Sequence, residues 1–319
     1  MITLENVKSA LLGLAIADAL GVPVEFKSRN YFKKMPVKTM QGYGTYHQPA
    51  GTWSDDTTMT IATMESIARK KVVDYTDIMT NFAKWYKDDE FTVDGLFDIG
   101  NTTGSAITNF FRGNAPLTCG LKGEHSIGNG SLMRILPMAF YLYKQVGVDF
   151  DQKAFDLIHD VSALTHAHPR AMIACGIYCR IAVELIDGRD LQSAISIGLD
   201  KSKAFYASSQ VFSNEMGHFD RLFEKDFAQT PEDEIESTGY ALHSLEVAIW
   251  CLRNTSDYKS LALKAVNLGG DTDTQGAIAG GLAGLAYGVD QIPSQWLEKL
   301  RRRDYLEKIC KDFFDSLNG

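Results

Sequence analysis

Cysteine is too scarce and too irregularly placed in this chain to build a framework. Cys119, Cys175, Cys179, Cys251 and Cys310 are an odd number with no paired-knuckle spacing, which excludes a disulfide scaffold and points to a reducing compartment. An excess of positive charge is also missing. Lys and Arg total 32 against 40 Asp and Glu, for a net charge of -8, and the only dense basic run is Arg301, Arg302 and Arg303. That pattern lacks the electrostatic footprint of a nucleic-acid binder, and the run reads as a solvated helix face. There is no low-complexity stretch, no fixed-period repeat and little of the alternation that marks strands. The apolar run Ala277–Tyr287 falls short of the roughly 20 residues that span a bilayer. Any phosphate-bearing ligand of so acidic a chain must be neutralised by metal ions, backbone N–H groups or a few placed side chains.

What is present is helical spacing over most of 319 residues, with 45% hydrophobic residues, enough for a sizeable core. The expectation is an all-α fold forming a single domain over residues 1–319. Val7, Ala10, Leu11, Leu14 and Ala17 trace one helix face, and Leu242, Leu245, Ile249 and Leu252 another. His168-Pro169 opens a third helix, which stops at Asp187-Gly188. Gly276, Gly280, Gly284 and Gly288 recur every four residues, a bare ridge for close helix approach, and Gly13, Ala17 and Gly21 make a smaller version. These two helices are expected to meet at the centre. The stretch Ala10–Ala19 resembles a signal-peptide core, but Glu5, Asp18 and the unbroken helical pattern argue for mature, cytoplasmic protein. Residues 40–52, 100–104 and 113–131 read as loops, and 202–238 as a poorly patterned insertion.

Two clusters carry hard oxygen donors just before apolar helical patterns: Ser54-Asp55-Asp56-Thr57 and Asp271-Thr272-Asp273-Thr274. Taken singly, each reads as a helix cap, the commonest use of such residues. Taken together they hold more charge than capping needs, and oxygen-only donors suit Mg²⁺ or Mn²⁺ better than zinc. Glu25 follows Pro23, which ends the first helix and leaves the carboxylate on a loop, as a mobile acid or a solvated glutamate. Gly128-Asn129-Gly130-Ser131-Leu132-Met133-Arg134 offers flexible backbone at a helix start, either a phosphate cradle or an ordinary loop. Asp98-Ile99-Gly100 and Thr165-His166 are weaker signals. A rival zinc set would use His166, His168, Cys175 and Cys179, although the two cysteines also fit the apolar face of their helix.

Taken in order, Gly13–Glu25, Trp53–Met59, Gly128–Pro137, Thr165-His166 and Asn267–Gly281 resemble the signature of the ADP-ribosylglycohydrolases, across nearly the whole chain. The resemblance implies an all-helical orthogonal bundle with a central site for two Mg²⁺ or Mn²⁺ ions, held by Ser54, Asp55, Asp56, Asp271, Asp273 and Thr274. Ser54 stands where many members carry Thr, which keeps the hydroxyl. By the same comparison Glu25 lies on a flap beside the metals, Asp98 and Gly100 border the ribose, and residues 128 to 134, among them Gly128, Asn129, Gly130, Ser131 and Leu132, bind the diphosphate. His166 lines the site, and the proton is handled by Glu25, Asp56 or Asp273. The implied activity is metal-dependent release of ADP-ribose from a modified acceptor, either a protein side chain such as arginine or a small-molecule conjugate. A nucleic acid would qualify only if itself ADP-ribosylated; no membrane partner is expected, and the chain is expected to be a monomer. Two other activities fit the same donors: an ADP-ribose-binding module without turnover, and a phosphohydrolase of nucleotide sugars.

Overall fold

The computed structural model describes residues 1–319 and is built from helices and turns, with no strand. In chain order the helices are α1 (Leu4–Gly21), α2 (Arg29–Lys34), α3 (Asp55–Lys70), α4 (Tyr75–Asp88), α5 (Asn101–Phe111), α6 (Leu136–Val146) and α7 (Gln152–Ala163). There follow α8 (Pro169–Ile186), α9 (Leu191–Ser208), α10 (Ala241–Arg253), α11 (Tyr258–Asn267), α12 (Thr272–Tyr287), α13 (Ser294–Lys299) and α14 (Arg303–Asn318). The all-α expectation holds, and α8 begins after His168 and ends before Asp187 as its sequence signals require.

At the centre α1 lies against α12, and the glycine ridge explains why. A Cβ on Gly280 would sit 2.5 Å from the Gly13 carbonyl oxygen, and one on Gly284 only 1.9 Å from that of Ser9, so the backbones touch where side chains would stand. The Tyr258 hydroxyl donates to the Gly13 carbonyl at 2.5 Å and Thr272 Oγ1 to that of Gly21 at 2.8 Å, tying α11 and the start of α12 to α1. Helix α1 is buried from Ala10 through Gly21 and so shows no polar face. Leu4–Val24 is long and apolar enough to cross a membrane, yet 94% of that window lies inside the protein, packed by α3, α11, α12 and α14.

Two segments differ from the sequence expectation. Residues 101–104, read as loop from their Thr and Gly, form the first turn of α5, because burial of Thr103, Ala106 and Ile107 outweighs their modest helix propensity. Within 202–238, α9 continues to Ser208, and Ser213–Phe223 is a run of 3-10 turns whose threefold period leaves no α-helical stripe to read. That run and the segment after it are nonetheless packed, with Phe219 and Phe227 buried and Trp250 Nε1 donating to the Thr230 carbonyl at 3.0 Å.

Candidate functional site

The close α1–α12 contact delivers the C-terminal end of α1 and the N-terminal end of α12 to one place, where the start of α3 joins them. The joint is Asp18. Its carboxylate, fully buried, accepts from the Ser54 N–H at 2.9 Å, the Thr57 N–H at 3.1 Å and Thr57 Oγ1 at 2.6 Å, so that α1 holds the first turn of α3. The sequence offered a signal for Asp18 in the form of an acid inside an apolar helix, which served there only to argue against a signal peptide.

Ser54 does cap α3, accepting from the Asp56 N–H at 3.3 Å, and its hydroxyl donates to Asp56 Oδ2 at 2.8 Å. Thr274 Oγ1 reaches the same Asp56 oxygen at 3.4 Å, linking α3 to α12. Asp273 Oδ1 accepts from the Thr274 N–H at 2.9 Å. Asp271 Oδ2 accepts from Asn129 Nδ2 at 2.7 Å, but Asp271 makes no side-chain cap of α12. Capping therefore accounts for Ser54 and leaves the acids unexplained. Asp56 Oδ1 and Asp273 Oδ2 are buried with no hydrogen-bond partner at all. A buried carboxylate oxygen without a partner is costly, and a cation is the usual remedy.

Glu25 is not a solvated glutamate; it is 4% exposed, and its side chain comes within 4.8 Å of those of Asp271 and Asp273, close enough for one ion to touch all three. Its backbone is held on both sides. Phe26 N–H donates to the Gly270 carbonyl at 2.8 Å and Thr45 Oγ1 to the Glu25 carbonyl at 2.8 Å, while Phe26 itself adopts the left-handed conformation at φ 64°. Glu25 thus sits on a pinned turn. The Tyr46 hydroxyl lies 2.5 Å from Glu25 Oε2 and 2.5 Å from Asp98 Oδ1. One hydroxyl proton serves only one of them, so Tyr46 joins the two acids through a shared hydrogen-bond centre. Asp98 also stands at positive φ, 58°, a strained backbone for a non-glycine residue beside a cavity. Neither Tyr46 nor the strain at Asp98 left a mark in the sequence.

Burial pushes Asp18, Glu25, Asp55, Asp56, Asp98 and Asp273 toward their neutral forms. Glu25 is raised to about 9 by burial and by the Asp98 charge, Asp18 to about 7 by burial, and Asp98 to about 6 by burial. Asp55, Asp56 and Asp273 are held well above the usual carboxylate range by burial and then by nearby acids, Asp98 foremost for Asp55 and Asp273 and Asp18 for Asp56. Burial and the two acidic neighbours raise Tyr46 as well. A divalent cation inverts this arithmetic by supplying the missing opposite charge. The donor set, all oxygen and mostly carboxylate, fits a hard divalent ion, and Glu25, Asp271 and Asp273 stand close enough together to hold one.

A cavity of about 250 Å³ opens beside this cluster. Glu25, Asp55, Asp271 and Thr274 line its acidic side, together with Asp98 and Gly100, whereas Asp56, Asp273 and Ser54 are buried behind the wall. Gly128, Asn129, Gly130 and His166 line the other side, with Asn101, Thr102 and Thr103 of α5. Those three residues precede the first backbone bond of α5, Gly104 N–H to Gly100 carbonyl at 2.9 Å, so their N–H groups are free to meet an anion. The loop carrying Gly128 is fixed by Asn129 N–H to the Gly239 carbonyl at 2.9 Å and Ala241 N–H to the Ile127 carbonyl at 3.0 Å. Ser131 and Leu132 are not among the lining residues. Ser131 Oγ accepts from Ser162 at 2.9 Å and faces the Cys175 thiol, and Leu132 belongs to the core. A one-residue step along an irregular loop turns neighbouring side chains in opposite directions, which no spacing rule predicts.

The zinc set is not brought together. His168 caps α8 by accepting from the Arg170 N–H at 3.2 Å, and Cys175 and Cys179 are buried hydrophobes on its inner face. His166 turns toward the cavity.

Both the sequence and the fold have counterparts among known proteins. The family described as ADP-ribosylglycohydrolase matches residues 1–319. The chain is similar to ADP-ribosylarginine hydrolase Tri1 of Serratia proteamaculans (strain 568), 31% identical over 98% of this chain and 80% of that one. It is also similar to the ADP-ribosyl-dinitrogen reductase glycohydrolase of Rhodospirillum rubrum, 33% identical over 91% of this chain and 88% of that one. A solved structure titled ADP-ribosylglycohydrolase-related protein complex superposes with a TM-score of 0.80 at 28% identity, covering 98% of each chain.

Proposed function

The chain belongs to the ADP-ribosylglycohydrolase family and is a hydrolase of glycosyl bonds, and from that premise we propose that it releases ADP-ribose from ADP-ribosylated arginine on a protein, with two Mg²⁺ or Mn²⁺ ions. The ions would be held by Ser54, Asp55, Asp56, Asp271, Asp273 and Thr274. The observation that carries the metal reading is the pair of buried, unpartnered oxygens Asp56 Oδ1 and Asp273 Oδ2. What supports arginine as the acceptor is that two relatives from different bacteria, Serratia proteamaculans and Pseudomonas putida (strain GB-1), are ADP-ribosylarginine hydrolases. Five buried free thiols support a reducing, cytoplasmic setting.

Bound divalent ions would supply Lewis acidity and orientation to ribose hydroxyls and water at the acidic side of the cavity. The chain's own groups do the rest. The N–H groups of Asn101, Thr102 and Thr103 and the backbone of residues 128–130 take the diphosphate, and Asp98 and Gly100 border the ribose. As the bond from C1'' to the leaving nitrogen breaks, positive charge develops on the ribose, and the ring of carboxylates favours it. Of the three acids that could handle the proton, Glu25 lines the cavity while Asp56 and Asp273 do not. Water oxygen forms the new bond to C1'', and we assign to Glu25 the transfer of that water's proton to the leaving nitrogen, with the Tyr46 hydroxyl 2.5 Å from its carboxyl group.

The test is incubation with Mg²⁺ or Mn²⁺ and a panel of arginine-, serine- and DNA-linked ADP-ribose, following free ADP-ribose by chromatography against a chelated control. Metal-dependent release from the arginine conjugate is the expected result. Release from serine or DNA alone would overturn the acceptor, release of inorganic phosphate from a nucleotide sugar would favour a phosphohydrolase, and tight binding with no release would leave a binding module.

A further inference from the structure

Behind the donor side of the cavity lies an unpaired cation. Arg134 is 0% exposed, forms no ion pair, and rests its guanidinium 4.8 Å from the centre of the Phe82 ring. Its Nη2 donates to the Val161 carbonyl at 3.1 Å and to Thr165 Oγ1 at 2.8 Å, while Nε and Nη1 have no partner. Thr165, also 0% exposed, stands 2.8 Å from His166 Nδ1. The direction of each hydrogen bond then follows. A guanidinium can only donate, so Thr165 Oγ1 accepts from it. The Thr165 proton has His166 Nδ1 as its acceptor; were Nδ1 protonated, the threonine proton would be buried with none.

We infer that Arg134 and Thr165 are positioning residues that lock His166 into the tautomer with a bare Nδ1 and a proton on Nε2, aimed as a hydrogen-bond donor into the cavity. Nε2 makes no hydrogen bond within the protein, and His166 lines the cavity. Two glycines keep that edge of the ring open. A Cβ on Gly128 would lie 3.2 Å from Nε2, and one on Gly130 would lie 2.8 Å from Cε1. Burial, reinforced by the Arg134 charge, pushes the imidazole down to about 3, so it stays neutral and its single proton must be placed by hydrogen bonding. The opposite tautomer would present a lone pair to the same space and repel an anionic oxygen. That the oxygen met there belongs to the diphosphate rests on the proposed function; the tautomer itself does not.

The experiment is two-bond proton–nitrogen NMR on protein labelled with ¹⁵N in its histidine rings, with His166 assigned by its loss in His166→Asn. The wild-type protein should show a pyrrole-type Nε2 and a pyridine-type Nδ1, unchanged across mildly acid to mildly alkaline pH. Thr165→Val should lose that signature and weaken ADP-ribose binding about tenfold by calorimetry, with the effect in KM more than in kcat, and Thr165→Ser should restore both. A protonated Nδ1 in the wild type overturns the inference without any variant having to fold, as does an unaltered signature in Thr165→Val. If the signature is present but ADP-ribose does not bind, the proposed function fails and the positioning stands.

Discussion

The two sides of the cavity answer burial in opposite ways. On one side, carboxylates at the ends of α1, α3 and α12 are driven up toward neutrality by burial and by one another; on the other, His166 is driven down to about 3 and Arg134 to about 10, again by burial. The acidic side keeps unpartnered acceptor oxygens and calls for cations, whereas the donor side keeps unpartnered N–H groups and calls for an anion. A phosphorylated sugar presented with divalent ions satisfies both sides at once, and neither side alone specifies it. The lesson is that desolvation does not choose a ligand; the sign of the atoms left without partners does.

The sharpest way to break the comparison is at the acidic side. Asp273→Asn should lower ADP-ribose release by roughly a thousandfold or more while the fold persists, since it removes an orphaned ligand oxygen and also relieves repulsion. A variant with full activity and an unchanged melting temperature would show that these acids do not form a metal site. Chelation provides the matching control: it should stop turnover and lower the wild-type melting temperature, because an ion that binds only the folded chain stabilises it by linkage, and it should leave the melting temperature of Asp273→Asn unmoved.

A second contrast separates the site from its frame. Gly284→Ala would press a methyl against the Ser9 carbonyl where α1 and α12 touch, and should cost about 1–3 kcal/mol in urea denaturation. A neutral result would mean that α1 and α12 can part without consequence. Tyr46→Phe, by removing the hydroxyl that spans Glu25 and Asp98, should reduce kcat roughly tenfold with little change in stability; an effect on KM alone would move Tyr46 from the proton-handling acid to ribose binding.

The smallest effect concerns pH. His159, hydrogen-bonded to the Tyr206 hydroxyl at 2.9 Å among aromatic rings, is also pushed down to about 3 by burial. Both histidines bind a proton in the unfolded chain below its ordinary 6.5 and refuse it in the fold, so their contribution is present above that value and is lost as pH falls from about 6.5 toward 3. Urea midpoints should drop over that window, and His159→Phe should make the drop shallower. Equal slopes in the two proteins would contradict the buried neutral state of His159.

Much of the architecture was legible because helices announce themselves by period. The span of α8 and the contact of α1 with the Gly276, Gly280 and Gly284 ridge of α12 follow from residue spacing, whereas Gly288 falls just past the end of α12 and touches nothing there, and the apolar face read on α1 belongs to a helix buried all round. The two oxygen-rich clusters were legible as helix starts. Less was readable wherever a residue's part depends on a distant one. Asp18 finds its partners on α3, and Tyr46 comes from an irregular loop to reach both Glu25 and Asp98. Glu25 looked solvent-facing by type and is buried, residues 101–104 looked like loop and are helix, and Ser131 and Leu132 share the cradle's sequence but turn away from the cavity.

By itself the sequence determined an all-helical chain with carboxylates at the starts of α3 and α12 and a flexible glycine-bearing loop ahead of α6, because those properties are local and arise from periodicity, capping chemistry and the freedom of glycine. Which carboxylate oxygens are left orphaned, which acid faces the cavity and which nitrogen of His166 bears the proton were decided only in the tertiary structure. The first two follow from the backbone contact of α1 with α12, which brings distant acids together, and the third from the hydrogen bond of Arg134 to Thr165 beside His166.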